Sequence, residues 1–137
     1  MSRVPSVAAQ LTPAALEFLR VHHLASFTSL RADGTPHVTP VGFTYDPDSR
    51  IARIITSGSS RKARNAAAGG PVAVCQVDGR RWLTLEGAAA VHDAPDRVAE
   101  AVARYAERYR VPRENPLRVA IEITVVRVLG SSEFITR

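Results

Sequence analysis

The residues best equipped for chemistry cluster in Ser57-Gly-Ser-Ser-Arg-Lys-Ala-Arg-Asn65. Three hydroxyls, Ser57, Ser59 and Ser60, precede three cations, Arg61, Lys62 and Arg64, and Lys62 is the only lysine in the chain. Hydroxyl donors followed by charge at the opening of a helical pattern suit an oxyanion such as phosphate. The free N–H groups of a first helical turn and the helix dipole favour negative charge there, and ionised donors make the stronger hydrogen bonds. A solvated basic helix is the plainer alternative for so short a run.

Other reactive side chains form no comparable group. His22, His23, His37 and His92 lack metal-ligand spacing, and the single cysteine, Cys75, lies inside the apolar run Val72–Val77. Scattered Ser and His do not define a nucleophilic triad. His37 on a strand reads as a surface or hydrogen-bonded residue before it reads as a catalyst, so no catalytic residue is assigned. Trp82 reads as core or interface, and Tyr105 and Tyr109 as helix packing. Glu86, in an apolar strand, calls for an arginine partner.

These residues need elements to position them. Thr12-Pro13 opens a helix that ends near His22-His23. Strands follow over 24–31, 35–45 and 51–57, joined by Asp33-Gly34 and by Asp46-Pro-Asp-Ser-Arg50. Pro36 and Pro40 mark an edge or bend in the second strand. A basic helix spans about 60–68. Strands over 71–77 and 81–91 share an Asp78-Gly79 turn, with a bend or bulge at Glu86-Gly87. Asp93 caps a longer helix carrying Val98, Ala101, Val102, Tyr105 and Tyr109 at helical spacing. An irregular linker over 110–117 leads to a long alternating strand, 118–129, and a short strand around Phe134-Ile135. The sequence predicts one mainly β domain over 11–137, preceded by a tail over 1–10. Its form is a split, antiparallel, six-stranded barrel with flanking helices.

Composition sets the surroundings. The chain has 137 residues, 45% of them apolar, a formal net charge of +5 and 6% aromatic residues. The length suffices for a core without staples. One cysteine excludes an intrachain disulfide and fits a reducing cytoplasmic setting. No apolar run is long enough to span a membrane, and the opening residues do not form a signal peptide. The basic balance suits anionic partners, but nucleic acid is not expected, because no aromatic–basic stripe is present.

The succession Arg31-Ala-Asp-Gly-Thr-Pro-His-Val38, Val41-Gly-Phe-Thr44, Ile54-Ile-Thr-Ser57, Ser60-Arg-Lys-Ala63, Asn65 and Trp82-Leu-Thr-Leu-Glu-Gly87 resembles the pyridoxamine-phosphate-oxidase-like split β-barrel superfamily. The segment from Val41 to Gly87 is similar to its deazaflavin-dependent reductases of the B type. That resemblance implies a homodimer with cofactor sites at the subunit interface. The implied cofactor is coenzyme F420, with FMN as the alternative. The implied activity is hydride transfer to a conjugated acceptor such as biliverdin. The alternatives are an FMN oxidoreductase and a non-catalytic flavin- or deazaflavin-binding module. By position, Ser60, Arg61 and Lys62 would bind the cofactor phosphate, with Asn65 in support. Thr56 and Ser57 would lie along the polyol, Val41, Gly42 and Phe43 beside the tricyclic ring, and Arg81 and Trp82 would reach the same site from the partner subunit. Leu129-Gly130-Ser131 departs from the tryptophan common in the flavin-using oxidases, and the arginine segment that clasps pyridoxamine phosphate is missing, which argues against that oxidase activity.

Overall fold

The computed structural model describes residues 10–136, so positions 1–9 of the N-terminal tail lie outside the described residues. The elements are α1 (Pro13–Phe18), β1 (Ala25–Leu30), β2 (Pro36–Val41), β3 (Phe43–Asp46), β4 (Ile51–Ser57), α2 (Arg61–Ala67), β5 (Pro71–Asp78), β6 (Arg81–His92), α3 (Pro95–Arg108), β7 (Arg118–Gly130) and a 3-10 turn (Ser132–Phe134).

All pairings are antiparallel, and the seven strands form one sheet in the order β2-β1-β5-β6-β7-β4-β3. The two edge strands of that sheet, β2 and β3, are consecutive in the chain and separated by Gly42 alone. A sheet whose opposite edges share a corner has to curl, which makes it a barrel closed at Gly42 and split elsewhere. Local chemistry sets the hairpins. Asp33 Oδ1 accepts from the Thr35 N–H at 3.0 Å and its hydroxyl at 2.7 Å, and Gly34 and Gly79 take φ of 85° and 62°. At the Glu86/Gly87 bulge a Cβ on Gly87 would stand 1.9 Å from the Thr124 carbonyl oxygen, so only glycine fits.

Alternate residues of each strand face inward. Phe27, Phe43, Ile54, Val74, Leu83, Leu85, Ile121, Ile123 and Phe134 are almost wholly buried there. Each contributes about 1.5–3 kcal/mol of transfer free energy. Outside, α3 packs across β3, β4 and β7.

The sequence differs from the structure at four places. The expected second strand, 35–45, breaks at Gly42, so the described residues hold seven strands and not six. The first helix stops at Phe18, and the last strand expected at Phe134-Ile135 is a 3-10 turn with a single bridge from Leu11 to Ile135. The N-cap of α3 is Ala94 with no side-chain bond, not Asp93, because Pro95 already fixes the first turn.

Candidate functional site

The Ser57–Lys62 turn joins the end of β4 to α2 and is fastened from several sides. Ser60 is the N-cap of α2. Its Oγ accepts from the Ala63 N–H at 3.2 Å and from the Thr56 hydroxyl at 3.2 Å, leaving its own hydrogen free to donate. Asn115 Nδ2 donates to Ser57 Oγ at 2.8 Å, and the Gly58 N–H donates to the Leu117 carbonyl at 2.8 Å. Buried Asn65 donates to Ser29 Oγ on β1 at 3.1 Å, which fixes the rotation of α2. With seven residues, α2 is a short helix. Anion attraction at its start therefore comes mainly from side chains rather than from a macrodipole.

Beside this turn lies a cleft of about 290 Å³ lined by Pro40, Val41, Gly42, Ile55, Thr56, Lys62, Tyr105, Pro112, Asn115 and Arg118. No acidic side chain lines it. A second cavity of about 310 Å³ holds Arg31, Arg61, Arg64 and Asn65, again without an acid. Among the described residues none of Arg31, Arg61, Lys62, Arg64 and Arg118 makes an ion pair. On β2, His37 Nδ1 and Thr39 Oγ1 are buried without a hydrogen-bond partner. Burial, then the charges of Arg31, Lys62 and Arg61, hold the His37 imidazole below its usual range. Cavities lined by cations and no acids suit an anionic ligand.

The Gly42 corner forms the opposite wall. A Cβ there would meet Tyr105 Cε2 at 3.1 Å and Tyr109 Cε2 and Cζ at 3.2 Å, so a side chain would press on both rings. Phe43 lies behind this wall. Its N–H donates to Tyr109 Oη at 3.1 Å, its carbonyl accepts from Arg108 Nη1 at 2.7 Å and from Tyr109 Oη at 3.0 Å, and its ring is in the core. Burial lowers the Arg108 pKa and raises that of Tyr109.

The structure thus divides the sequence-derived set. Val41, Gly42, Thr56 and Lys62 share the cleft, while Ser57 and Ser60 shape the adjoining turn. Arg61 and Asn65 open on the neighbouring cavity, and Phe43 has no free backbone group. Arg81 and Trp82 stand elsewhere, at the β5–β6 hairpin. Arg81 Nε donates to Glu133 Oε1 at 3.2 Å, and its guanidinium stacks on Phe18 and Phe134, each at 5.1 Å. The Trp82 N–H donates to Ser131 Oγ at 3.0 Å. Glu86 has the expected arginine, Arg127, at 3.4 Å. Tyr105, Pro112, Asn115 and Arg118 line the cleft, although the sequence assigned Tyr105 to helix packing, Pro112 and Asn115 to a linker and Arg118 to the start of a strand. Only Asn115-Pro116, a turn signal directly before a strand, hinted at a fixed loop.

The sequence profile described as Pyridoxamine 5'-phosphate oxidase matches residues 11–132. The chain belongs to the pyridoxamine 5'-phosphate oxidase family. Among curated relatives of this family member, an F420H2-dependent biliverdin reductase of Mycobacterium tuberculosis (strain CDC 1551 / Oshkosh) is 55% identical over 128 residues, 93% of each chain. Solved structures of low identity share its fold. A conserved hypothetical protein of Mycobacterium tuberculosis aligns with TM-score 0.74 at 20% identity, over 93% of this chain and 89% of that one. The structure of an F420 reductase aligns with TM-score 0.68 at 23% identity, over 87% of this chain and 98% of that one. A phosphate-bearing cofactor fits what this family member presents: Lys62, Arg61 and the turn hydroxyls as donors and no opposing acid.

Proposed function

We propose that this protein is a reductase that uses reduced coenzyme F420 to transfer a hydride to a conjugated acceptor, with biliverdin as the leading candidate. The observation that carries the reading is the 55% identity, over 93% of both chains, to an F420H2-dependent biliverdin reductase. The acid-free cationic cleft supports it, because F420 carries a phosphodiester and several carboxylates. Bound F420 supplies a hydride from a carbon centre, and the acceptor takes up that hydride together with one proton.

The chain's own residues bind and orient. Lys62 and Arg61 hold the phosphate from the two sides of the α2 start. Ser60 donates its free hydrogen, while Thr56 and Ser57 face the polyol. Asn65 holds α2 in place through Ser29. Val41 and the bare backbone of Gly42 form the wall against the ring, and Phe43 supports that wall from behind through Tyr109 and Arg108. Neither a catalytic side chain nor a proton donor is assigned.

The protein acts as a cytoplasmic homodimer in this reading. Among the described residues no helix is long and apolar enough to cross a membrane. The strand registers put Leu30, Val38, Val77, Trp82 and Leu129, all exposed, on the outer side of the sheet where α3 does not reach. A second copy seated there would carry Arg81 and Trp82 into the interface. A single 14.8 kDa species in sedimentation at micromolar concentration would overturn the dimer.

The deciding experiment is a single-turnover assay with stoichiometric reduced F420, following its reoxidation by absorbance. Biliverdin should reoxidise the cofactor. If an enone or quinone does so and biliverdin does not, the protein is a broader reductase. If no acceptor does, it is a binding module.

A further inference from the structure

We propose that Arg118, with the segment 110–117 before it, forms the acceptor-recognition wall of the cleft, and that Arg118 pairs with a carboxylate of the acceptor. The inference rests on the reductase reading above and assigns its substrate side. The segment has no regular structure, yet it is held firmly at its end. Asn115 and Leu117 bond to Ser57 and Gly58, the Leu117 N–H donates to Asn115 Oδ1 at 3.0 Å, and the Arg118 N–H donates to the Asn115 carbonyl at 3.0 Å. Pro112, Asn115 and Arg118 face the cleft from this side. Two large apolar side chains of the same segment, Val111 and Leu117, are 80% and 65% exposed. They neighbour Pro112 and Arg118 in the chain, so the segment that lines the cleft carries exposed apolar side chains beside its polar ones.

Arg118 supplies the charge beside that surface. Its guanidinium gives Nη2 to the Arg113 carbonyl and makes no other hydrogen bond among the described residues. The one acid of the segment, Glu114, makes no ion pair there. Several donors of a planar fork are thus free, in the geometry that meets a carboxylate with two bonds. Lys62 stands on a different element, with Arg61 and the turn hydroxyls beside it, where a phosphate is suited. The cleft therefore has two chemically distinct cationic parts. The α2 side is hydroxyl-rich, and the Arg118 side is flanked by apolar residues. A flat, conjugated molecule with flexible carboxylate arms matches the second.

The test compares biliverdin with its dimethyl ester in the wild-type protein, Arg118→Gln and Arg118→Lys. Each is measured by single-turnover kcat/KM, by equilibrium binding of the tetrapyrrole, and by the Kd of F420. The wild type should prefer the acid. Arg118→Gln should lower the acid-over-ester ratio about tenfold, through KM, with the F420 Kd unchanged. Arg118→Lys should keep part of the preference, which separates lost charge from lost fold. An unchanged ratio overturns the inference, and a raised F420 Kd with an unchanged ratio makes Arg118 a cofactor ligand instead. Equilibrium binding does not depend on turnover. If biliverdin is not reduced but the ratio of binding constants collapses in Arg118→Gln, the reductase reading fails while the recognition site stands.

Discussion

Arg108 and Lys62 are both cations near the Gly42 corner, yet their surroundings are opposite. The Arg108 guanidinium is buried and donates to the Val21 carbonyl at 2.9 Å, the Phe43 carbonyl at 2.7 Å and Gln76 Oε1 at 2.6 Å, while it stacks on the Phe43 and Tyr109 rings. Its donors are occupied by neutral acceptors of the protein itself. Lys62, like Arg61 and Arg118, borders open space and has no acidic partner among the described residues. The contrast shows how to separate a structural cation from a ligand-binding one. What matters is whether the fold itself fills the donors, because an ionised group left without partners is stable only where water or a ligand can reach it.

The largest expected effect follows from emptying the open side. Arg61→Ala with Lys62→Ala should weaken F420 binding by about 1.5–3 kcal/mol for each lost charge-assisted contact, with the thermal midpoint nearly unchanged. Added salt should weaken wild-type binding and affect the double variant less, since exposed charges are screened. Unchanged affinity in a fluorescence titration would remove the phosphate assignment. Emptying the closed side should act in the reverse sense. Arg108→Met leaves Gln76 Oε1 and the Val21 carbonyl without their donor and should cost about 3 kcal/mol of stability in urea denaturation. The salt dependence of F420 binding in the surviving folded fraction should match that of the wild type. A loss of salt dependence would mean that Arg108 itself senses the ligand's charge. Between these lies Asn65→Ala, which breaks a buried bond from α2 to β1. It should lower stability by about 1–2 kcal/mol and F420 affinity by a smaller factor than Lys62→Ala does. An affinity loss equal to that of Lys62→Ala would make Asn65 a direct ligand.

The same contrast explains what the sequence made legible. The turn from Ser57 to Asn65 could be read because its chemistry is local: hydroxyls, cations and a helix start lie within nine consecutive positions. Most hairpins were legible for a similar reason, since Asp-Gly pairs fix their own geometry. The break at Gly42 was not, because it depends on Tyr105 and Tyr109, which lie more than sixty positions away. The role of Phe43 was hidden in the same way, as its backbone partners arrive from the end of α3. Arg118 looked like the first residue of a strand. Only pairing with β4 brings it opposite Ser57 and so to the cleft. Alternation within a strand shows which residues share a face, but not which distant residues lie across from them.

The smallest effect is a proton. His37 lies near Arg31, Arg61 and Lys62, and both burial and those charges favour its neutral form in the folded protein. Its folded pKa is therefore below the ordinary value of 6.5, and the unfolded chain binds the proton first as pH falls. Without ligand, this residue contributes a small loss of stability from about pH 6.5 downward. An anion bound against the same cations offsets their field and raises the imidazole pKa again. Binding should then take up a fraction of a proton, and F420 affinity should rise modestly between pH 8 and pH 6. Calorimetry in buffers of different ionisation enthalpy measures that uptake directly. His37→Gln should keep the affinity at pH 8 and lose the rise toward pH 6. If the variant shows the same pH profile and the same proton uptake as the wild type, His37 lies outside the ligand's field, and the anion is held on the far side of Lys62.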